Sequence, residues 1–205
     1  MRRINKSDAP KLLQSFNRHE HSQWSEIHLR ENQPVYEECL MVCEVDQCEL
    51  CGYTEVPLNQ GLSHIDHYIK RDIDPNLTFC WENMIAAVKD DKFGADWKDN
   101  HIKRNDYDKK MKCYRNVLNP ITSDFIDRFK FATDGFMEPV DRNDQIAQNT
   151  IDVFNLNEFS LKNRRKEAMQ AARDMVNGGI DIDLIRQYLL PGGFISAVEY
   201  EFSKN

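Results

Sequence analysis

The strongest constraint on the fold is a break in periodicity. After Pro34 the apolar residues Val35, Cys39, Val42 and Cys43 recur at three and four, the period of a helix, and that period stops at "DQCELCGY". Gly52 behind the paired cysteines is the composition of a tight knuckle that brings two sulfurs towards one point. The next stretch, "GLSHIDHYIKR", runs from Gly61 to the turn-like "DIDPN", and its Leu62, Ile65 and Tyr68 keep no helical stripe. It is predicted as a strand or hairpin arm. Beyond the loop, "FCWENMIAAVKDDKF" starts apolar and ends charged, and residues 85–92 are predicted as a short helix. The order is knuckle, strand, loop, helix, and an all-helical chain is excluded.

The flanks are mainly helical. Ser7 is predicted to cap a helix running to about Trp24 through Leu12, Leu13 and Phe16. Downstream, "FIDRFKFATDGFMEPV" alternates into Asp134-Gly135, a strong turn dipeptide, so a β-hairpin is predicted there. Asn143 is placed to cap a helix containing Ile146, Ile151 and Phe154. A further helix spans Phe159 to Val176 and stops at Gly178-Gly179, and another spans Ile182 to Leu190 and stops at "PGG". The fold class is therefore α+β.

The 205 residues, 40% hydrophobic and 30% charged, suffice for a substantial core. No apolar run approaches the roughly 18 residues of a membrane span, and "MRRINKSDAPKLL" lacks the apolar stretch of a secretion signal. A cytoplasmic location is expected, with no membrane partner. In a reducing compartment the six cysteines are metal ligands or buried side chains rather than disulfides. Only Cys48 and Cys51 have metal spacing, so Cys39, Cys43, Cys80 and Cys113 are expected in the core.

A net charge of −7 argues against a surface that grips nucleic acid throughout. Local patches run the other way: "IKR" at 69–71, "HIKR" at 101–104, "KKMKCYR" at 109–115 and "KNRRK" at 162–166. Lys70, Arg71, Lys103 and Arg104 are candidate phosphate contacts, and Arg164-Arg165 is expected on a helix face or partner surface. No glycine-rich phosphate loop is present, so any nucleotide hydrolysis belongs to another chain.

Residues 64–67 read "HIDH". A carboxylate such as Asp66 is a hard oxygen ligand for a divalent cation, and a neutral imidazole such as His67 can take a proton from water. Neighbours on a strand point to opposite faces, so a bend or bulge is expected if the two share a site. His64, two positions before Asp66, shares its face as a supporting partner, a ligand or a packing residue.

The C-x-x-C pair, then Asp66-His67, then Asn83 in "WENMIAA", resembles the HNH nuclease module, a ββα-metal fold. That resemblance implies that Asp66 holds Mg²⁺ or Mn²⁺, that His67 is the general base for the attacking water, and that Asn83 fixes the loop and orients the histidine. Asp91 or Asp96 would complete the metal site, with Asn100 and His101 also in range. The implied reaction is phosphodiester hydrolysis with one metal. The implied organisation is an N-terminal helical segment at 1–45, the HNH module at 46–105, and a mostly helical region with one hairpin at 106–205.

"MRRINKS", "TDGFMEP" and "AQNTIDVFNLNEFSLKNRR" extend the likeness to HNH endonucleases of the PtuB type, from the Septu and retron-associated anti-phage defence systems of bacteria. The family implies a partner ABC-type ATPase, PtuA-like, a nucleic-acid substrate and, in a retron setting, a reverse transcriptase with its RNA–DNA product. Many HNH modules carry a second C-x-x-C after the asparagine, where this chain has Val88 and Asp91. Structural Zn²⁺ on Cys48 and Cys51 would then need His64, Cys80 or His101; otherwise the knuckle persists without metal. Two other classes fit the same residues: an HNH-derived binding or scaffold subunit that no longer cleaves, and a free-standing restriction-type HNH endonuclease.

Overall fold

The structure, a computed structural model, describes residues 1–20, 23–58, 63–102 and 114–204, apart from the His101 side chain. Lys103, Arg104 and Cys113 lie outside the described residues. Within them the chain is a mixed α+β fold. Its helices are α1 (Lys11–Phe16), α2 (Gln33–Asp46), α3 (Gly94–His101), α4 (Gln145–Val153), α5 (Phe159–Asn177), α6 (Ile182–Leu189) and α7 (Ile195–Phe202). Two antiparallel two-stranded sheets pair β1 (Ser63–His67) with β2 (Met84–Val88), and β3 (Phe129–Phe131) with β4 (Met137–Pro139). No helix among the described residues is long and apolar enough to cross a membrane.

The β1–β2 ribbon is buried on both faces. Ile65, Met84 and Ala86 join Leu13, Phe16, Ile27, Cys39 and Cys43 from the N-terminal helices. Ile85 and Ala87 face the opposite way, into a core with Tyr53, Phe93, Phe154 and Met169. This corrects the expectation of a helix at 85–92. "MIAAV" is a continuous apolar run because each face of the strand meets a core, and such a run has no period that separates it from a buried helical segment. The helix that follows the ribbon is α3.

The ladder runs without a bulge from Ser63↔Val88 to His67↔Met84. The far edge of β2 is covered as well: Gln47 Nε2 donates to Ala86 O at 2.8 Å, Gln47 Oε1 accepts from Ala86 N at 2.9 Å, and Gly52 N donates to Ala86 O at 3.1 Å. Gly52 allows that approach, because a Cβ there would lie 2.5 Å from Ile85 Cγ2. The other edge of the ribbon, along β1, has no strand partner among the described residues.

The first helix is shorter than predicted. Ser7 does not cap it; Ser7 N and Oγ both donate to Asp46 Oδ2 at 3.0 Å, and α1 begins after Pro10. Trp24 instead opens a separate 3₁₀ turn, Trp24–His28, closed by a capping box between Gln23 and Glu26. Asp144, one residue beyond the predicted Asn143, caps α4 by accepting from Ala147 N at 3.0 Å. The Asp134-Gly135 turn joins β3 to β4 as predicted, with Gly135 at φ 85°. Arg165 is buried rather than on an exposed face: its guanidinium donates to Gly135 O and Leu156 O, each at 2.7 Å, and ties that hairpin to α5.

Candidate functional site

A cavity of about 650 Å³ runs along β1, whose outer edge has no further strand among the described residues. Four consecutive strand residues, His64, Ile65, Asp66 and His67, line it. Successive side chains leave opposite faces of a strand, so one cavity collects all four only by spanning its outer edge. This is why Asp66 and His67 share a site although the ladder carries no bulge.

His67 ends β1 and is buried. Its Nε2 lies 2.8 Å from Thr78 O. A carbonyl only accepts, so Nε2 carries the proton and Nδ1 keeps its lone pair, with no partner among the described residues. The Trp24 indole meets the imidazole edge-on at 4.6 Å. Burial pushes the His67 pKa down to about 4, opposed by the Thr78 bond and by Asp66, and assisted by the nearby Arg71 and Lys98 charges. The ring is therefore neutral at physiological pH.

Asp66 is 7% exposed, and its two oxygens differ. Oδ2 accepts from Tyr53 OH at 2.5 Å and from Lys98 Nζ at 2.6 Å. Oδ1 has no partner among the described residues. Tyr53 is itself fully buried, stacked on Phe154, and burial followed by the Asp66 charge raises its pKa well above the usual phenol value, so it stays a donor. Lys98 comes from α3, as does Asp99, whose Oδ1 lies 3.3 Å from the same ammonium. Burial raises the Asp99 pKa, Lys98 opposes that, and Asp66 adds to it.

Asn83 closes the connector between the strands. Its Oδ1 accepts from Ile69 N at 2.8 Å, while Nδ2 donates to Ile69 O at 2.9 Å and Leu77 O at 3.2 Å. One amide side chain thus holds both limbs of the loop that carries Thr78, and so fixes the carbonyl that orients His67.

The other predicted residues divide. His64 lines the cavity on the Asp66 face, with a buried Nδ1 that has no partner among the described residues. Asp91 is exposed and outside the cavity, whereas Asp96 and Asp99 of α3 line it together with Asp66. Asp99 went unrecognised because the helix was expected one segment earlier. Tyr53 and Lys98 were missed for another reason: no spacing marks them, and only packing brings them to Asp66. Lys70 caps the end of α3, donating to Asp99 O at 2.8 Å and Ile102 O at 3.1 Å. Arg71 is exposed at the cavity, its guanidinium 5.6 Å from the Trp24 ring.

The two cysteines of the C-x-x-C pair differ in environment. Cys51 is buried in the core while Cys48 is exposed, and Gln47 makes the bonds that hold the turn to β2. Cys48 and Glu49 adopt left-handed backbone at φ 57° and 58°. Cys39 and Cys43 are buried as expected, whereas Cys80 is only half-buried, donating to Glu82 Oε2 at 3.2 Å. Among the described residues no group of three or more His, Cys, Asp or Glu is arranged to hold a metal ion. A Mg²⁺ or Mn²⁺ ion asks for less, since one or two carboxylates with water and a substrate phosphate complete its shell. The free Oδ1 of Asp66 and the Asp99 carboxylate meet that requirement.

No known protein family matches the chain, and no curated protein matches it.

Proposed function

We propose that the chain is a metal-dependent nuclease of the HNH type, hydrolysing phosphodiester bonds at the β1 edge, with the ribbon and α3 as its ββα-metal module. The observation that carries this reading is the pairing of a neutral His67, its Nε2–H held by Thr78 O, with an Asp66 carboxylate that has one oxygen fixed and one free in the same cavity.

In this reading His67 Nδ1 takes the proton from the attacking water. Its low pKa keeps it unprotonated at neutral pH, and Trp24 and Thr78 set the ring's direction. Asn83 acts at one remove, through the loop that carries Thr78. Arg71 is placed to meet a phosphate at the cavity mouth. A Mg²⁺ or Mn²⁺ ion held by Asp66 Oδ1 and Asp99 would stabilise the charge that develops on the phosphate and the leaving oxygen.

The net charge of −7 supports a second part of the proposal: a partner chain, an ABC-type ATPase of the PtuA kind in an anti-phage complex, supplies the extended grip on nucleic acid. The experiment is a cleavage assay on DNA and RNA, with Mg²⁺ or Mn²⁺, using the chain alone and co-purified with the products of neighbouring genes. Metal-dependent cutting that His67→Ala abolishes while the fold persists is expected. Unchanged cutting by His67→Ala overturns the base, and no cutting under any condition leaves a binding subunit.

A further inference from the structure

We infer that Lys98 is a resident cation of the site, which compensates Asp66 and Asp99 so that a divalent ion binds strongly only together with a phosphate. The inference rests on the hydrolytic reading above and deepens it.

Lys98 has no exposed side-chain surface. Its Nζ lies 2.6 Å from Asp66 Oδ2, 2.6 Å from His67 O, 3.3 Å from Tyr68 O and 3.3 Å from Asp99 Oδ1. A buried ammonium is tenable only when its charge is matched and its protons have acceptors. Two carboxylates and two strand-end carbonyls provide both. The dependence is mutual, since without that ammonium the two carboxylates would have only the more distant Arg71 and Lys70 charges to offset their repulsion.

Lys98 cancels one of the two carboxylate charges and Arg71 beside them offsets more, leaving a weak attraction for a divalent ion in competition with its own hydration. A phosphate diester adds the missing charge and oxygen ligands. Lys98 cannot touch that phosphate, because it is wholly buried; it acts through Asp66, whose Oδ2 it occupies jointly with Tyr53, leaving Oδ1 towards the cavity. It is a positioning residue that also sets the charge of the site.

The test uses Mn²⁺ as probe, followed by electron paramagnetic resonance, on the full chain carrying His67→Ala so that nucleic acid survives. Mn²⁺ is expected to bind at least about tenfold more tightly when a DNA or RNA oligonucleotide is present. Adding Lys98→Met, which keeps length and removes charge, should tighten Mn²⁺ binding without nucleic acid by roughly tenfold or more. Mn²⁺ should then raise the melting temperature of that variant more than that of its parent. Equal Mn²⁺ affinity with and without oligonucleotide, or a Lys98→Met variant that binds Mn²⁺ no more tightly, overturns the inference. Should Lys98→Met fail to fold, Lys98→Gln, which keeps a hydrogen-bond donor and removes the charge, takes its place in the same Mn²⁺ comparison. Absence of cleavage by the His67-containing protein with this Mn²⁺ behaviour intact defeats only the hydrolytic reading. Cleavage with Mn²⁺ binding indifferent to Lys98 defeats only the inference.

Discussion

The indole of Trp24 meets the imidazole of His67 edge-on, with the planes at 90° and the ring centroids 4.6 Å apart. Trp24 belongs to a 3₁₀ turn of the N-terminal segment, and His67 ends the first strand of the buried ribbon. The N-terminal helices therefore do more than cover a core. They supply part of the apolar surface that keeps the proposed base uncharged.

That contact predicts a pH dependence. The His67 pKa is pushed down from 6.5 to about 4, so between those values the unfolded chain holds a proton that the folded chain refuses. Stability is at its full value above about pH 6.5 and falls as pH drops towards 4, by up to about 3 kcal/mol from this group. Urea unfolding from pH 7 down to pH 4.5 should show the loss, and His67→Gln should flatten it. The acid limb of any cleavage profile should lie near pH 4, and Trp24→Ala should move the His67 titration, followed by NMR, back towards 6.5. A His67 titration already near 6.5 in the wild type would contradict the whole account.

Asn83→Ala removes three hydrogen bonds at once and strands Ile69 N. A loss of about 2–4 kcal/mol in denaturant unfolding is expected. Asn83→Asp keeps the acceptor for Ile69 N but sets a carboxylate oxygen against the Ile69 and Leu77 carbonyls, and should cost at least as much as Asn83→Ala. A change of less than about 0.5 kcal/mol in Asn83→Ala would show that the clamp is redundant.

Cys48 is exposed, and Gln47 ties the turn to β2. Cys48→Ser should change stability by less than about 0.5 kcal/mol, as a surface substitution does. Purified protein should carry no stoichiometric zinc, and a chelator should leave the melting temperature unchanged. Zinc at one equivalent, lost in Cys48→Ser, would restore the metal knuckle.

Gly52→Ala places a Cβ 2.5 Å from Ile85 Cγ2 and 2.9 Å from Ile4 Cδ1. The backbone of the turn must withdraw from β2, and a cost of about 1–3 kcal/mol is expected. Gly192→Ala is the control, because nothing lies within 4 Å of a Cβ there. Its effect should be within about 1 kcal/mol of zero. Equal melting temperatures for the two variants would show that the close approach carries no weight.

By itself the sequence determined what local rules determine. The spacing of Val35, Cys39 and Cys43 specified α2, the glycine pair at 178–179 ended α5, and Asp134-Gly135 turned the β3–β4 hairpin. Asp66, His67 and Asn83 were legible because their residue types carry chemistry at a recognisable spacing. Tertiary structure decided the rest. "MIAAV" is a strand because cores form on both of its faces, and no local period encodes that. Tyr53, Lys98 and Trp24 matter because folding brings them to Asp66 and His67 from the turn after the knuckle, from α3 and from the N-terminal segment. The physical reason is the range of the forces: backbone propensity and capping act within a turn or two, whereas burial, charge compensation and pKa are set by whatever residues end up within a few ångströms.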